Sequence, residues 1–467
     1  MNFGKTGDRT HTLDGARHLA GTVLSIVHLL NSLWHTIKTK ASIFLPLVSI
    51  LALAAGVGLG AVSETLSNAV YRAASTLIDG YAMFAPLLIF MVLAPVLSRI
   101  FSTKERGKFG IYTVGWIAVA KLIASMWAVL FTAAIFSFPV LPEGSASIGQ
   151  AFAITLSSLL STLTQSQFFW AIYASIVIGL IAMKFKVLGR LLEKGVTSIE
   201  YVGQYMAPLV LIFMLAVGVY IQSLPANLVD QIGIGGTGTV FQSVSIFGIT
   251  IDPNTASGMV TAYIMGSLLV AIACFAFHFG VLAWTKYRAK RFSVINYFKH
   301  YWLRAYPLLW STSSESLATP LSLYILKKYA PYVRPTVRRL VGGAAATLCT
   351  QGTLICVFVL IGLVASMLGI HLSLFELLLC IPVAFFISFG IPGIPGELLL
   401  FAGPLSLILG ISPAVLPLFL ALYLGLQLGL PDSFRTGGNM TDSYLFCILL
   451  NEVYEKRFRA EEPKGEE

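Results

Sequence analysis

Residues 431–443 read PDSFRTGGNMTDS and lie inside an otherwise apolar run, Ala414–Cys447. An Arg or Asp at the membrane centre costs roughly 2.5–3.5 kcal/mol on insertion scales, so charges in such a run indicate a functional site. Four polar residues recur at spacings of three, four and three, which places them on one helix face. They are Asp432, Arg435, Asn439 and Asp442. The stretch therefore predicts a polar stripe inside a helical bundle.

The composition is typical of a polytopic α-helical membrane protein. Of the 467 residues, 57% are hydrophobic and 11% are charged, and the mean hydropathy is +0.82. A soluble core cannot hide that much apolar surface. The formal net charge of +10 does not indicate a nucleic-acid partner, because most basic residues lie in short loops between apolar segments. The five cysteines show no Cys-x-x-Cys spacing, so we expect neither a disulfide framework nor a metal site.

The first 285 residues predict a short surface segment followed by six spans. Residues 1–40 show no small-residue cleavage site, and Leu19–Ile37 predicts an interfacial helix at the cytoplasmic surface. Within 41–285 the apolar runs lie near Ser42–Val62, Ala82–Ser98, Phe109–Phe138, Ile148–Met183, Leu191–Gln222 and Ala256–Thr285. The fourth run is too long for one straight helix, so we expect it to be broken.

Loop charge predicts the orientation of these spans. Clusters of four basic residues follow spans two, four and six, whereas the loops on the other side contain a single basic residue, Arg72. The positive-inside rule therefore places the N-terminus in the cytoplasm of a bacterial-type plasma membrane. By the same rule the Gly/Thr/Asn-rich segment Ser223–Thr255 is an external loop, and the basic tail 456–467 is cytoplasmic.

Residues 286–455 predict a transport core that contains two re-entrant hairpins. In the first hairpin, about 292–326, two halves that are too short to span flank the Ser-rich stretch 311–316, and basic residues stand at both ends. In the second, about 375–409, the glycines and prolines of GIPGIPG at 390–396 interrupt the helix, and no flank is basic. Each hairpin tip would lie at membrane depth, which is tolerated only where the backbone lines a protein cavity.

Each hairpin is followed by one full span, and the two hairpins enter from opposite faces. The predicted spans are about 340–367, interrupted by CTQGT at 349–353, and about 414–450. Inverted pairs of discontinuous helices that meet near the midplane are the arrangement of many secondary transporters. The sequence therefore predicts eight transmembrane helices and two re-entrant helical hairpins in an all-α fold with inverted repeats.

Three ordered signatures in this core resemble those of the dicarboxylate/amino acid:cation symporters, which include bacterial and archaeal glutamate and aspartate transporters. They are the Ser-rich tip followed by LATP at 317–320, GIPG at 390–393, and Asp432, Arg435, Thr436 and Asn439 on the last span. The resemblance implies a glutamate-transporter-homologue-like fold and a homotrimer. Each protomer would have a fixed scaffold and a mobile transport domain.

The resemblance also implies a substrate site. Arg435 would pair with a substrate side-chain carboxylate, Asp432 with the α-ammonium group, and Asn439 with the α-carboxylate. A guanidinium fork suits this role because it grips a carboxylate through two parallel hydrogen bonds. The residues that would complete the pocket are Thr436, Thr353, Ser313, Ser314, Ile391, Pro392 and Gly393.

The sequence departs from the family pattern at the residues that would bind the coupling ion. The unwound seventh span of the family reads Asn-Met-Asp-Gly-Thr, whereas this chain has Gln351 at the sodium-binding aspartate and Ser443 at a second one on the last span. Sodium prefers anionic or carbonyl oxygens, and these residues offer only neutral ones. The candidate cation ligands are Thr347, Gln351, Ser388, Asn439, Asp442 and Ser443.

Several alternatives stay open at this stage. The coupling ion is Na⁺, or a proton carried by Asp442 or Glu315, or coupling is lost. Glu397 reaches either water or Arg435. The Asp432 and Arg435 charges can also be read as a purely structural ion pair.

The leading function is secondary uptake of an acidic amino acid or dicarboxylate by alternating access, with an uncoupled exchanger or a proton-coupled carrier of altered substrate as the alternative. An intramembrane enzyme is disfavoured, because the chain has no His-Glu-x-x-His or Gly-x-Ser-x-Gly motif.

Overall fold

The computed structural model describes most of the chain from residue 44 onward. The described ranges are 44–73, 107–142, 167–184, 210–232, 241–343, 345–391, 393 and 396–458, with further scattered positions within 76–95 and 149–194. The predicted interfacial helix, most of the second span, Pro392 and the tail beyond Phe458 lie outside the described residues.

The described chain is mostly helical, and its first helices are strongly apolar. They are α1 (Phe44–Val62), α2 (Gly107–Phe136), α3 (Gln167–Lys184), α4 (Val210–Ile232) and α5 (Ala256–Arg288). Within the described residues, two helices, Lys108–Phe136 and Ala256–Arg288, are long and apolar enough to cross a membrane, and up to four spans result if each of two bent pairs counts as one. A multi-pass membrane protein is consistent with these helices, while the count of eight spans stays a prediction.

The segment predicted as an external loop contains regular structure at both of its described ends. Helix α4 continues through Pro225 to Ile232. Two short antiparallel strands, β1 (Val244–Ile246) and β2 (Ile249–Ile251), then pair with Val244 opposite Ile251. Phe247 and Gly248 join them with positive φ angles of 53° and 79°, which is the geometry of a tight hairpin turn. The all-α description therefore needs this one small correction.

The first predicted hairpin contains two helical arms that pack against each other. One arm is built from α6 (Val294–Tyr297), a π-helical turn at Phe298–Trp302 and α7 (Leu303–Thr312), and the other is α8 (Glu315–Tyr329). The break is shorter than the Ser-rich stretch, because residues 311 and 312 still belong to α7. Ser313 adopts a left-handed conformation with φ 47°, which ends that helix.

The seventh predicted span is broken close to its middle. A short helix α9 (Pro335–Val337) and a π-helical turn (Arg338–Gly342) lead into α10 (Ala345–Leu348). Cys349 and Thr350 are not helical, and α11 (Gln351–Met367) begins at once after them. Every residue of α11 except Ser366 is buried, so this helix lies at the centre of the bundle.

The second predicted hairpin also consists of two packed helices, α12 (Leu374–Ile387) and α13 (Leu399–Ile408). A capping box formed by Ser373 and Glu376 begins α12. Between the helices, Gly393 and Gly396 have positive φ angles of 69° and 80°, a conformation that glycine adopts without strain.

The last predicted span differs from the single helix 414–450. It consists of α14 (Leu416–Gln427) and α15 (Leu430–Arg457), which meet at an angle of 65°. Gly429 has a φ angle of 79°, and Pro431 lies in the first turn of α15, where its missing N–H group costs no helical hydrogen bond. The bend allows the polar face of α15 to begin in the middle of the bundle.

Candidate functional site

The site is built on the first half of α15, whose polar face is fully enclosed. Asp432, Arg435 and Asn439 each have no exposed surface. The spacing of three and four residues places them on one side of the helix, as the sequence predicts. Helix α15 packs against α5, α11 and both arms of the first hairpin, so this polar face is covered on several sides.

Arg435 is surrounded by carboxylates. Its Nε donates to Oδ1 of Asp432 at 2.5 Å, and its Nη1 donates to Oε1 of Glu315 at 3.1 Å and to Oε1 of Glu397. The side chains of the three acids are at most 1% exposed. The question left open for Glu397 is thereby answered in this structure, since its carboxylate contacts Arg435 and its side chain is fully buried.

The acids come from three separate elements. Glu315 is the first residue of α8 and directly follows the tip of the first hairpin. Glu397 follows Gly396 in the second hairpin, and Asp432 lies in the first turn of α15. Arg435 therefore bonds both hairpins as well as its own helix, so its ion pairing is not limited to Asp432.

The tips of the two hairpins also contact each other directly. The hydroxyl of Ser314 donates to the carbonyl of Gly393 at 3.2 Å. The hydroxyl of Ser313 is 3.0 Å from that of Ser433 on α15. Backbone N–H groups of the second tip bind the acids, with Gly393 N donating to Glu397 at 2.7 Å and Gly396 N to Asp432 at 3.0 Å.

Asn439 and Thr353 connect this cluster to the buried helix α11. The amide Nδ2 of Asn439 donates to Glu315 at 2.7 Å and to the hydroxyl of Thr353 at 2.8 Å. The Asn439 oxygen accepts the backbone N–H of Thr353 at 3.1 Å. Gly352 permits this approach, because a Cβ there would collide with the backbone carbonyl of Arg435.

The charge balance of the cluster is unusual for a site that receives an anion. One guanidinium faces three carboxylates, so the cluster is acidic overall when all four groups are ionised. A buried carboxylate without a compensating charge costs several kcal/mol, and such a group takes up a proton more readily than it stays ionised. The arrangement can therefore bind protons or a positively charged group.

Other residues named from the sequence make different contacts. Asp442 lies 2.7 Å from Nδ1 of His278, and Ser388 accepts hydrogen bonds from Lys121. The hydroxyls of Thr436 and Ser443 donate to backbone carbonyls of their own helix, those of Asp432 and Met440. Ile391 is buried in the hydrophobic core. The side chain of Thr347 lies outside the described residues.

The residues offered to a sodium ion fit it only in part. Gln351 is buried and neither amide atom has a hydrogen-bond partner among the described residues, so its oxygen is open to a ligand. The Ser443 hydroxyl is already bonded within α15, and the Asp442 carboxylate is bonded to His278. The oxygen atoms of sodium ligands are expected to point toward one common position.

Sequence reasoning missed two parts of this core. It gave no role to His278, whose ring bonds Asp442 through Nδ1 and lies 3.1 Å from the Tyr297 hydroxyl through Nε2. It also passed over Lys121, the single charged residue within 109–138. A lone charge in the middle of an apolar span is itself a signal, because such residues rarely occur without a role.

Comparison with known proteins identifies the family of the chain. No curated protein matches the chain significantly. The model of the sodium:dicarboxylate symporter family, however, matches residues 45–453, which covers both hairpins, the broken seventh span and the polar face of α15. The chain therefore belongs to the sodium:dicarboxylate symporter family.

Proposed function

We propose that this protein is a secondary active transporter that carries an acidic amino acid or a dicarboxylate together with protons. The observation that supports the proposal best is the cluster around Arg435, in which carboxylates from both hairpins hold the guanidinium that the family resemblance assigns to the substrate. The family membership supports a transporter of the sodium:dicarboxylate type. No enzymatic step forms part of the proposal.

Binding is an exchange of carboxylates at Arg435. Before a solute binds, Glu315, Glu397 and Asp432 compensate the guanidinium. An arriving solute carboxylate takes the place of Glu397, and the displaced acid takes up a proton from solution because it would otherwise remain buried and uncompensated. Each solute that binds in this way brings one proton, and no covalent bond is formed or broken. Protons and solute consequently move together.

The position of the two hairpins supports alternating access. The Ser314–Gly393 contact and the bonds of Glu315 and Glu397 to Arg435 close both tips over the site. Movement of one hairpin tip breaks the bond between its own acid and Arg435, and the bond made by the acid of the other tip remains. A solute carboxylate that takes the place of the lost acid favours the arrangement in which the tips are closed over it. Elevator-type movement, a homotrimer and cytoplasmic termini in a bacterial-type plasma membrane belong to the same proposal and are supported by the resemblance.

A second candidate is a carrier for a solute with a positive charge. The excess of carboxylates over guanidinium in the cluster favours it, because an ammonium or guanidinium group compensates an acid directly and requires no proton. Such a carrier would work by exchange or by the membrane potential. Both candidates use the same residues and differ in the charge of the solute.

Transport into proteoliposomes tests the proposal. Purified protein is reconstituted, and radiolabelled aspartate, glutamate, C4-dicarboxylates and lysine are offered with sodium and proton gradients imposed separately. We expect accumulation of an acidic solute that follows an inward proton gradient. Accumulation driven by sodium alone would contradict proton coupling, and uptake of lysine with no uptake of acidic solutes would favour the second candidate. Counterflow whose rate does not depend on either gradient would identify an uncoupled exchanger.

A further inference from the structure

Lys121 is a buried lysine whose ammonium group contacts the second hairpin. It has no exposed surface. Its Nζ donates to the backbone carbonyl and to the hydroxyl of Ser388, at 3.0 Å in both cases. The same Nζ lies over the ring of Phe389, 3.6 Å from its centroid, and a ring face attracts a cation.

The position of Lys121 on its helix excludes a solvated ammonium. It lies near the middle of α2 (Gly107–Phe136), on the order of 20 Å along the axis from either end. Lysines in membrane helices normally extend their side chains to the interface, and the distance rules that out here. Helix α2 packs against α11 and α12 instead, so the side chain enters the core of the bundle.

Lys121 donates hydrogen bonds to oxygens of the type that coordinates a coupling cation in transporters. Ser388 ends α12, so its carbonyl lies at the negative end of a half-helix. The hydroxyl of Thr350, in the break between α10 and α11, also donates to this carbonyl at 3.1 Å. In transporters with discontinuous helices, the C-terminal ends of half-helices and the unwound carbonyls beside them coordinate the driving cation. Ser388 is itself one of the cation ligands predicted from the sequence.

We propose that the Lys121 ammonium is a tethered cation that occupies the place of a coupling sodium ion at the break of the second hairpin. In its protonated form it supplies a positive charge to the Ser388 carbonyl, so the hairpin closes at this point without recruiting an ion from solution. The proposal does not depend on which solute is carried, nor on whether protons drive the transport.

The test measures thermal stability in sodium, so it needs no solute. The midpoint of thermal unfolding of the purified protein is compared in NaCl and in choline chloride of equal ionic strength. We expect the unmodified chain to unfold at the same temperature in both salts. Lys121→Ala opens a space beside the two Ser388 oxygens, so we expect a midpoint several degrees lower in choline chloride, restored in part by NaCl or by methylammonium chloride.

Two controls separate a cation role from packing. Lys121→Met keeps most of the volume without the charge, so it should unfold early and gain nothing from either salt. Lys108→Met removes an exposed lysine from the same helix and should behave as the unmodified chain. A midpoint of the unmodified chain that rises by several degrees in NaCl overturns the proposal, even if Lys121→Ala does not fold. Failure of both cations to restore Lys121→Ala, or full stability of Lys121→Met, also overturns it.

Discussion

Asp442 and His278 form a buried pair that joins α15 to α5, with Oδ1 of Asp442 2.7 Å from Nδ1 of His278. The other ring nitrogen lies 3.1 Å from the hydroxyl of Tyr297. A neutral imidazole satisfies both contacts when Nδ1 donates to the carboxylate and Nε2 accepts from the tyrosine. The pair therefore holds Asp442 in a structural network, whereas Glu315 and Glu397 bond the guanidinium of the site.

This difference gives a prediction for Asp442, one of the two proton carriers considered from the sequence. Asp442→Asn keeps an oxygen that accepts from His278 but removes the charge, so we expect a loss of stability of about 1–3 kcal/mol. Proton-driven uptake should continue in the protein that remains folded. The measurements are thermal unfolding and proteoliposome uptake with an imposed pH gradient. If the variant has native stability and its uptake does not depend on the pH gradient, Asp442 is the proton carrier.

Glu397 is expected to be required for coupling to protons. Glu397→Gln keeps the shape of the side chain but cannot exchange a proton, so a pH gradient should no longer drive accumulation, while exchange of internal for external solute continues. Counterflow and pH-driven uptake are measured on the same vesicles. Glu376→Gln is the matched control, because Gln serves in a capping box as Glu does and this residue lies at the start of the same hairpin. Unchanged pH-driven uptake by Glu397→Gln would refute the role assigned to Glu397.

Arg435 is expected to be indispensable for acidic solutes. Arg435→Lys keeps the charge but loses the planar fork, so we expect binding of an acidic solute to weaken at least tenfold, or about 1.4 kcal/mol. Arg435→Ala leaves three buried carboxylates without their cation and should also destabilise the protein by about 3–5 kcal/mol. Scintillation proximity binding and thermal unfolding give the two quantities.

The control for Arg435 is Arg304→Lys, because Arg304 is exposed and its Nη1 donates to the hydroxyl of the half-buried Tyr329, outside the carboxylate cluster. We expect it to leave affinity and stability within measurement error. If Arg435→Lys binds an acidic solute with unchanged affinity, the acidic assignment is lost, and the carrier for positively charged solutes becomes the better account.

Gly352 is expected to tolerate no side chain. A Cβ at this position meets the carbonyl of Arg435, which belongs to the backbone and cannot rotate away. We expect Gly352→Ala to cost about 1–3 kcal/mol and to separate α11 from α15. Gly280→Ala on α5 is the matched control, since no atom lies within 4 Å of its Cβ and alanine favours a helix by about 1 kcal/mol. Equal stability of the two variants would show that the close approach is not maintained.

Much of the fold was accessible from the sequence because its signals are local. Long apolar runs predict membrane helices, and the family model that matches residues 45–453 agrees with the family resemblance of the three signatures. The bend before α15 was missed, although Gly429 and Pro431 stand together in the sequence. An apolar run reports only length and hydropathy, and it contains no information about the angle between two helices.

The candidate site was accessible only in part. The spacing on α15 places Asp432, Arg435 and Asn439 on one face, since three and four residues make one helical turn. The partners of that face come from elements far along the chain, with Glu315 at 120 positions from Arg435 and Glu397 at 38. No periodicity relates such positions, so local patterns left the partner of Glu397 undecided.

By itself the sequence determined that the chain is an apolar, multi-helix protein with interrupted helices and a polar face on its last helix, because hydropathy, glycine, proline and helical spacing act over a few residues. The tertiary structure alone decided the charge of the site and the place of Lys121. Both depend on buried groups that meet across the bundle, and the energy of a buried charge is set by its neighbours in space. That is why the partners of Glu315, Glu397 and Lys121 could not be read from their own segments.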